Sequence, residues 1–462
     1  MTRKQTFLLA MLLLAGATGL THAQEEDAGE GTAPGPTGGQ PQGMTDIGGI
    51  LPDDENEDPA PAGEQGGRPQ GIAEQQETLE QAAPAEAEGE GAVVDSDNLP
   101  TTLTGKGGRV ETGPAGTPPT DAQPLSPSQY EPDAWMQDPN TWATFNGDLR
   151  AQKYSPADQI TPENVGRLEK AWEYHTGDVS NGSGDIPMTV WSATPLFVNE
   201  TLYVGTPFYR IIALDPGTGE EKWSFDPDAV LKALTQPDMK NRGVAYWQAD
   251  DPQEGEACQK MVYIGTMDAK LYGVDADTGE PCAAFGENGM VNVNQWNTIN
   301  DKWPLSLLQP PTVYNDTLYL GWAGKDWTDA AAPPGTVFAL DARTGKLKWM
   351  FHALPEEVIQ RTGTANVWAS MSVDPELGLV YIPVSSPSPN YYGGNRLERL
   401  PLATSVTALD AETGKVVWSR QLVHHDIWDY DTDAPPTLVD IEKDGETILA
   451  LVQTSKQGFI YV

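Results

Sequence analysis

The fold is decided by a stretch that recurs four times: IIALDPGTGEEKWSF at 211–225, LYGVDADTGEPCAAF at 271–285, VFALDARTGKLKWMF at 337–351 and VTALDAETGKVVWSR at 406–420. Each copy has the pattern of an apolar strand, a tight turn containing Asp, Thr and Gly, and a second strand. Aspartate and threonine side chains can bond to the turn backbone, and glycine accepts the positive φ that such turns use. The sequence therefore predicts hairpins repeated at intervals of about 65 residues.

A second pair of strands precedes most of these turns, as in TPLFVNETLYVGT at 194–206 and PPTVYNDTLYLGW at 310–322. A unit of about four antiparallel strands is the content of one propeller blade. Trp223, Trp349 and Trp418 follow three of the turns and offer a large apolar face to a neighbouring unit, whereas the second copy has no tryptophan there and carries Cys282 next to this place. The chain ends on GFIYV, where the next turn should follow, so we expect a fifth blade that is cut midway.

The amino-terminal third of the chain has a different composition. Residues 1–23 read as a signal peptide, with Arg3 and Lys4 before a short apolar centre and small residues ahead of Gln24; an uncleaved membrane anchor is the alternative. Residues 24–129 are rich in Glu, Gly, Pro and Ala and predict a disordered acidic linker. Residues 130–462 are predicted to form the propeller. These features predict a periplasmic or secreted protein without an apparent integral membrane domain.

Charge and cysteine content narrow the possible partners. The formal net charge of −39 opposes binding to nucleic acid and to anionic membrane surfaces. Cys258 and Cys282 flank a predicted hairpin whose ends lie side by side, so we expect a disulfide in an oxidising compartment. Two unrelated buried thiols are the alternative. With only two cysteines and no C-x-x-C-H sequence, a covalently attached heme is not indicated.

The repeated ALDxxTGKxxW stretches, together with WATFNGDLRAQKYSPADQITPENVGRLEKAWEYHTGD at 142–178, resemble the pyrroloquinoline quinone (PQQ)-dependent alcohol and sugar dehydrogenases. The resemblance is nearest to the membrane-type glucose and quinate dehydrogenase branch and covers residues 142–462. It implies an all-β propeller of eight blades, of which this chain would supply about four and a half. It also implies an oxidoreductase that acts on CH–OH groups. We therefore expect the chain to be a fragment or a truncated form.

The stretches HHDIWDYD and TSKQG carry the chemistry that the resemblance implies. In that family the aspartate after the tryptophan is the general base, here Asp429, and a downstream cation contacts the quinone oxygens, here Lys456. A carboxylate within reach of the substrate hydroxyl can take its proton, and a cation stabilises the charge that develops on the cofactor. The alternative is that Asp426, Asp429 and Asp431 are turn residues beside a core tryptophan.

A divalent cation is implied because the quinone of this family binds through one. Asp326 matches a metal-ligand aspartate of the glucose dehydrogenase branch, although Trp327 replaces the asparagine that follows it there. Ser386 stands where relatives use a Thr or Asn ligand. Asp326 as a solvated loop acid is the alternative. Calcium or magnesium is expected; a lanthanide is not excluded, since Asp431 resembles an acid of the lanthanide-dependent alcohol dehydrogenases.

Three further residues match cofactor contacts of the family. Arg242, in NRGVAYW, corresponds to an arginine that binds a PQQ carboxylate, and a guanidinium suits this role because it forms two parallel bonds. Trp368 corresponds to the tryptophan stacked under the quinone, and a core position is its alternative. Thr266 is expected to donate a hydroxyl to the cofactor. His424 and His425 are expected to make structural hydrogen bonds.

The sequence thus predicts an exported PQQ-dependent dehydrogenase of a sugar, polyol or cyclic hydroxy acid, with glucose and quinate as candidates. Its electrons would pass to an external acceptor, either a membrane quinone or a periplasmic carrier. Two alternatives stay open. One is a non-catalytic propeller that acts as a protein-interaction scaffold, because such scaffolds share the repeat. The other is a decayed or truncated relative that binds nothing.

Overall fold

A computed structural model describes residues 140–253, 255–297, 303–324, 330 and 332–462. The predicted signal peptide and acidic linker, and the first residues of the predicted propeller, lie outside the described residues. Within these ranges no helical segment has the length and apolar character that a membrane crossing requires.

The described residues form strands joined by turns and loops, with helix confined to the short 3₁₀ segments Val165–Arg167 and Val293–Trp296. In chain order the strands are β1 Thr189–Thr194, β2 Leu196–Val198, β3 Thr201–Gly205, β4 Ile211–Leu214, β5 Glu221–Phe225, β6 Met239–Gly243, β7 Ala245–Gln248, β8 Lys260–Gly265, β9 Lys270–Asp275, β10 Met290–Asn292, β11 Thr312–Tyr314, β12 Thr317–Leu320, β13 Thr336–Asp341, β14 Leu347–His352, β15 Ser372–Asp374, β16 Leu379–Val384, β17 Ser405–Asp410, β18 Val416–Gln421, β19 Thr437–Lys443, β20 Glu446–Thr454 and β21 Ile460–Tyr461.

These strands assemble into successive antiparallel meanders. Four four-stranded sheets contain β2–β5, β7–β10, β11–β14 and β15–β18, and β19–β21 form a three-stranded sheet. The strands β1 and β6 form a separate parallel pair. The structure therefore confirms the all-β prediction and the four-stranded blade as its unit.

The Asp-Thr-Gly turn organises each blade as its residue types predict. In the first blade the Oδ1 atom of Asp215 accepts hydrogen bonds from the Gly217 and Thr218 amides, both at 2.8 Å, and from the Thr218 hydroxyl at 3.0 Å. Gly219 completes the turn with a φ of +75°. Comparable bonds are made by Asp275, Asp341 and Asp410, and this local signal closes the outer hairpin of the first, third and fourth blades. In the second blade the turn leads only to an isolated bridge at Pro281, and the fourth strand lies beyond the predicted place, at Met290–Asn292.

The tryptophan after the turn packs onto the turn of the following blade. A Cβ added to Gly279 would lie 2.5 Å from the Trp223 ring, and one added to Gly414 would lie 2.5 Å from the Trp349 ring. Each of these indoles also donates its Nε1–H to a carbonyl of the next turn, at 3.1 Å in both cases. Glycine is required at these turns both for the positive φ and for the close approach of the ring.

The second blade has no tryptophan at this place, and apolar side chains replace it. A Cβ on Gly345 would meet Val291 at 2.3 Å and Phe285 at 3.2 Å. Cys282 is joined to Cys258, with an S–S distance of 2.06 Å and a Cα–Cα distance of 5.9 Å. The blade contact is therefore kept without a tryptophan, and Cys282, one residue before the tryptophan position, forms the cross-link.

The apolar cores lie between successive sheets. One cluster joins the first and second blades around Tyr203 and Ile264, another joins the second and third around Phe285 and Leu340, and a third joins the third and fourth. Ahead of the first blade, residues 168–175 make no strand. Trp172 in this segment nevertheless packs on Gly219, in the same manner as the tryptophans of the repeats.

Candidate active site

Most predicted site residues lie in loops at one edge of the blades. In an antiparallel meander the second and fourth strands run in the same direction, so the loops that follow them emerge at the same edge. Thr266 follows β8, Ser386 follows β16 and Lys456 follows β20; Trp368 lies between β14 and β15, and Asp429 between β18 and β19. Residues far apart in the sequence are thereby brought to one side of the molecule.

Asp429, Asp431 and Lys456 form a hydrogen-bonded triad. The Lys456 Nζ atom lies 2.6 Å from Asp429 Oδ2 and 2.9 Å from Asp431 Oδ2. Both carboxylates are nearly buried, with exposures of 8% and 6%. One ammonium thus faces two carboxylates, which leaves the triad with one unit of negative charge when all its members are ionised.

Two members of the triad, Asp431 and Lys456, have shifted pKa values. Burial and the charge of Asp429 raise the pKa of Asp431 to about 6, against the lowering effect of Lys456. Burial opposes the charge of Lys456, but attraction by Asp431 and hydrogen bonds to both carboxylates outweigh it, so the pKa of Lys456 is raised. The triad therefore keeps its cation through the neutral range, while Asp431 titrates just below it.

Asp431 is held by donors from three separate loops. Its Oδ1 atom accepts the Ser386 amide at 2.7 Å, and its Oδ2 atom accepts the Trp368 Nε1–H at 3.3 Å as well as Lys456. The Lys456 amide also donates to the Asp431 carbonyl at 3.2 Å. Asp431 consequently links loops of the third, fourth and fifth sheets at this edge.

Arg242 and Trp368 form a second cationic group beside the triad. The Arg242 Nη1 atom donates to the Trp368 carbonyl at 2.6 Å, and its guanidinium carbon lies 4.9 Å from the centre of the indole. Lys456 lies 5.9 Å from the same ring. Burial lowers the pKa of Arg242, and no carboxylate of the described residues forms an ion pair with it. This arrangement gathers two cations and an aromatic face, a combination suited to a flat anionic ligand.

Ser386 and Thr266 are both buried, but their hydroxyls differ. The Ser386 Oγ atom has no hydrogen-bond partner among the described residues, although its amide is bound to Asp431. The Thr266 hydroxyl bonds to Asp268 Oδ1 at 2.6 Å and caps the turn that leads to Lys270. Ser386 therefore retains a free oxygen for a ligand, whereas Thr266 already uses its hydroxyl within its own turn. The cofactor role of Thr266 stays a prediction.

Asp326 lies outside the described residues, so its role as a metal ligand stays a prediction. Within the described part of the chain, no group of three or more His, Cys, Asp or Glu side chains gathers in a way that could hold a metal ion. A hard cation needs several oxygen ligands. A cation beside Ser386 would thus depend on oxygens from Asp326 or from a bound ligand.

Sequence reasoning missed two residues that shape this site. Asn390 donates its amide to Asp429 Oδ1 at 2.5 Å, and Arg396 is buried between the loop of Asn390 and the loop of Asp426. No local pattern marks either residue, because the bonds that join them to the loop of Asp426 and Asp429 span about 30 to 40 positions in the chain. Asp426 accepts the Trp428 and Tyr430 amides, so it is a turn residue.

Comparisons with known proteins agree with this architecture. The family described as "PQQ: Glucose/ethanol/alcohol dehydrogenase, beta-propeller domain" matches residues 142–462. The chain is 34% identical to the quinate/shikimate dehydrogenase (quinone) of Acinetobacter baylyi and 34% identical to the quinoprotein glucose dehydrogenase of Escherichia coli, in each case over 70% of this chain and 42% of the relative. A solved quinohemoprotein alcohol dehydrogenase from Pseudomonas putida HK5 superimposes with a TM-score of 0.57 at 28% identity, covering 70% of this chain and 46% of that one. The chain thus spans less than half the length of these proteins.

Proposed function

This chain belongs to the PQQ-dependent glucose/ethanol/alcohol dehydrogenase β-propeller family, and on that premise we propose that it takes part in oxidising the CH–OH group of a sugar, polyol or cyclic hydroxy acid. The observation that carries the proposal is the triad of Asp429, Lys456 and Asp431 beside Trp368 and Arg242. A structural propeller has no use for a half-exposed lysine between two buried carboxylates, because burying charge costs free energy.

The residues at this edge fit a PQQ molecule in three respects. Arg242 is a buried guanidinium without an ion-pair partner among the described residues, which suits a carboxylate of the cofactor. Trp368 offers an aromatic face that is already flanked by the Arg242 and Lys456 cations. Ser386 offers a buried Oγ atom that lacks a partner among those residues. The cofactor, when bound, supplies the electrophilic quinone that accepts a hydride.

Asp429 is proposed as the general base. Its carboxylate accepts a hydrogen bond from the Lys456 ammonium, and it lies in a loop at the same edge as the cofactor-binding candidates. A carboxylate in this position takes the hydroxyl proton of the substrate as the carbon loses its hydride. Asp429 would hold that proton until solvent removes it.

Lys456 is proposed to serve two roles at once. An ammonium has three N–H donors, and two of them bond to Asp429 and Asp431. The third is left for an oxygen of the bound cofactor, where a positive charge stabilises the negative charge that develops. Since the pKa of Lys456 is raised, this charge persists at any pH at which the enzyme would work.

A calcium or magnesium ion is proposed to accompany the cofactor, with Ser386 and Asp326 as protein ligands. The Ser386 Oγ atom, which lacks a partner within the described part of the chain, supports this assignment. The Cys258–Cys282 disulfide supports an oxidising location, as does the signal-like start of the chain, so we propose export to the periplasm or beyond. The electron acceptor proposed is a membrane quinone or a periplasmic carrier.

Reconstitution tests the proposal. The protein is purified without cofactor, titrated with PQQ in the presence of Ca²⁺, and assayed for dye reduction with glucose, quinate and glycerol. Asp429→Asn should keep PQQ binding and lose about 10²- to 10⁴-fold in turnover, the usual contribution of a general base. Asp277→Asn, which alters an exposed aspartate, is the matched control and should leave turnover unchanged. A protein that neither binds PQQ nor reduces dye would refute the proposal.

A further inference from the structure

Two residues from different loops donate hydrogen bonds to the two oxygens of the Asp429 carboxylate. Asn390, in the loop after β16, donates its Nδ2–H to Oδ1 at 2.5 Å, and Lys456, in the loop after β20, donates to Oδ2 at 2.6 Å. Asn390 is itself buried, with an exposure of 5%. Two donors on the two oxygens fix both the position and the rotation of the carboxylate plane, which neither donor alone would do.

The two hydrogen-bond donors differ in charge. Lys456 is shared between Asp429 and Asp431, so its position depends on both carboxylates. Asn390 is neutral, and its amide group cannot change protonation in the neutral range. It therefore orients the Asp429 anion without adding charge and without taking the proton that a base must accept.

Asn390 is held in place by a buried arginine. Arg396 is 2% exposed and donates to the carbonyls of Pro389 and Tyr392, on either side of Asn390. The same guanidinium donates to the carbonyl of Asp426, in the loop that carries Asp429. Arg396 thus couples the loop of the donor to the loop of the acceptor, so that the Asn390–Asp429 distance is set by buried contacts.

The backbone of Asp429 needs such support. Its φ of +57° lies in the left-handed region, which residues other than glycine seldom adopt. Conformations of this kind persist where the surrounding structure over-determines them, and they recur at functional sites. The hydrogen bonds from Asn390 and Lys456 supply that constraint on the side chain of the same residue.

We propose that Asn390 is a positioning residue for the general base: its amide holds Asp429 in the orientation from which the carboxylate meets the substrate hydroxyl. The inference rests on the proposed function of Asp429. A misplacement of about 1 Å at a reacting group can cost on the order of 100-fold in rate. Loss of the Asn390 donor should therefore slow turnover while leaving substrate and cofactor binding largely intact.

The first measurement separates positioning from folding. Asn390→Ala and the isosteric Asn390→Asp are reconstituted with PQQ and Ca²⁺, the occupied fraction is measured by PQQ titration, and kcat is expressed per occupied site. We expect kcat to fall about 10- to 100-fold in Asn390→Ala, with KM changed by less than about 3-fold. Asn390→Asp keeps the shape of the side chain but replaces the donating amide with a carboxyl group beside Asp429 and Asp431. Its kcat should fall at least as far as that of Asn390→Ala.

The matched control is Asn146→Ala. Asn146 is a buried asparagine whose Nδ2 donates to Ser370 at 3.1 Å, and among the described residues it makes no hydrogen bond to the triad. Asn146→Ala also loses one buried amide hydrogen bond, here to a neutral hydroxyl, so its stability should fall by the same amount as that of Asn390→Ala or by less. Its kcat per occupied site should stay within about 2-fold of the wild type. If kcat of Asn146→Ala fell as far as that of Asn390→Ala, the loss of any buried amide would have this effect. That result would overturn the inference.

A second measurement needs no activity. A double-mutant cycle of Asn390→Ala and Asp429→Ala is followed by urea unfolding of the cofactor-free protein. A direct contact predicts that the two shifts in midpoint are not additive. Additive shifts would overturn the inference whatever the activity. Non-additive shifts together with a normal kcat in Asn390→Ala would overturn it and leave the dehydrogenase proposal standing. Non-additive shifts in an inactive wild type would instead refute the dehydrogenase proposal and, with it, the positioning role.

Discussion

Replacing Lys456 with methionine tests whether one cation holds two buried carboxylates together. Lys456→Met keeps the length of the side chain and removes the ammonium that lies 2.6 Å from Asp429 and 2.9 Å from Asp431. Breaking a buried ion pair from one side commonly costs about 3–5 kcal/mol, because the remaining charge has no partner. The Lys456 side chain is 36% exposed, so solvent screens part of this interaction, and a smaller loss of about 2–3 kcal/mol is expected at pH 8.

The loss should depend on pH, and its sign follows from the charges. Lysine is charged in the unfolded chain between about pH 5 and pH 8. The raised pKa of Lys456 keeps it charged in the folded wild type as well, so its own titration does not contribute there. The pKa of Asp431 is already raised by burial and by Asp429, and removing the cation that lowers it raises it further. At pH 5 the variant can therefore relieve the repulsion by protonating Asp431. We expect the loss at pH 5 to be roughly half the loss at pH 8.

Urea unfolding of the cofactor-free protein at both pH values measures this difference. Lys348→Met is the matched control, since Lys348 donates to the Asp316 carbonyl at 2.8 Å and to the Thr317 hydroxyl at 2.6 Å, both neutral acceptors. It should lose about 1 kcal/mol at either pH. A loss for Lys456→Met below about 0.5 kcal/mol, or one that is equal at the two pH values, would contradict the charge argument.

Three further outcomes are expected. For Asp431, the folded-state pKa of about 6 exceeds the ordinary 3.8, so its contribution to stability is present below pH 4 and is lost as the pH rises towards 6. Asp431→Asn should remove this decline of about 2–3 kcal/mol from a pH series of urea unfolding curves. Trp349→Ala should cost about 3–5 kcal/mol, because the indole packs on the turn of the next blade, whereas the exposed Trp428→Ala should stay within about 0.5 kcal/mol in the same assay. Replacing Cys258 and Cys282 together with serine should cost about 3 kcal/mol, the loop-closure contribution for about 25 residues, and should abolish the effect of reductant on the thermal midpoint.

The blades could be predicted because their signals are local. The Asp-Thr-Gly turn needs only residues within five positions of one another. Each of the four aspartates accepts a hydrogen bond from the threonine amide of its own turn. The alternation of apolar strands and turns then fixes the hairpins. The partner of each tryptophan was not predictable in this way. The packing of Trp223 on Gly279 and of Trp349 on Gly414 depends on how successive sheets stack.

In the candidate site, too, some features follow from the sequence and others only from the structure. Asp429, Lys456, Arg242 and Trp368 were identified from the sequence through the family resemblance, and the structure places them at one edge of the blades. Thr266 was named by the same route, but its hydroxyl is engaged in its own turn. A motif match identifies a position in the chain, whereas the free or bonded state of a hydroxyl depends on its neighbours in space.

By itself, the sequence determined that this chain forms four-stranded units with a common turn, and it supplied the acids and bases of the candidate site. Only the tertiary structure decided that Asn390 holds Asp429, that Arg396 joins their two loops, and that the Ser386 amide holds Asp431. The physical reason is the range of the interactions. Turn and strand preferences act between neighbours in the chain, but these hydrogen bonds join loops of different sheets, and the stacking of those sheets fixes which donors and acceptors meet.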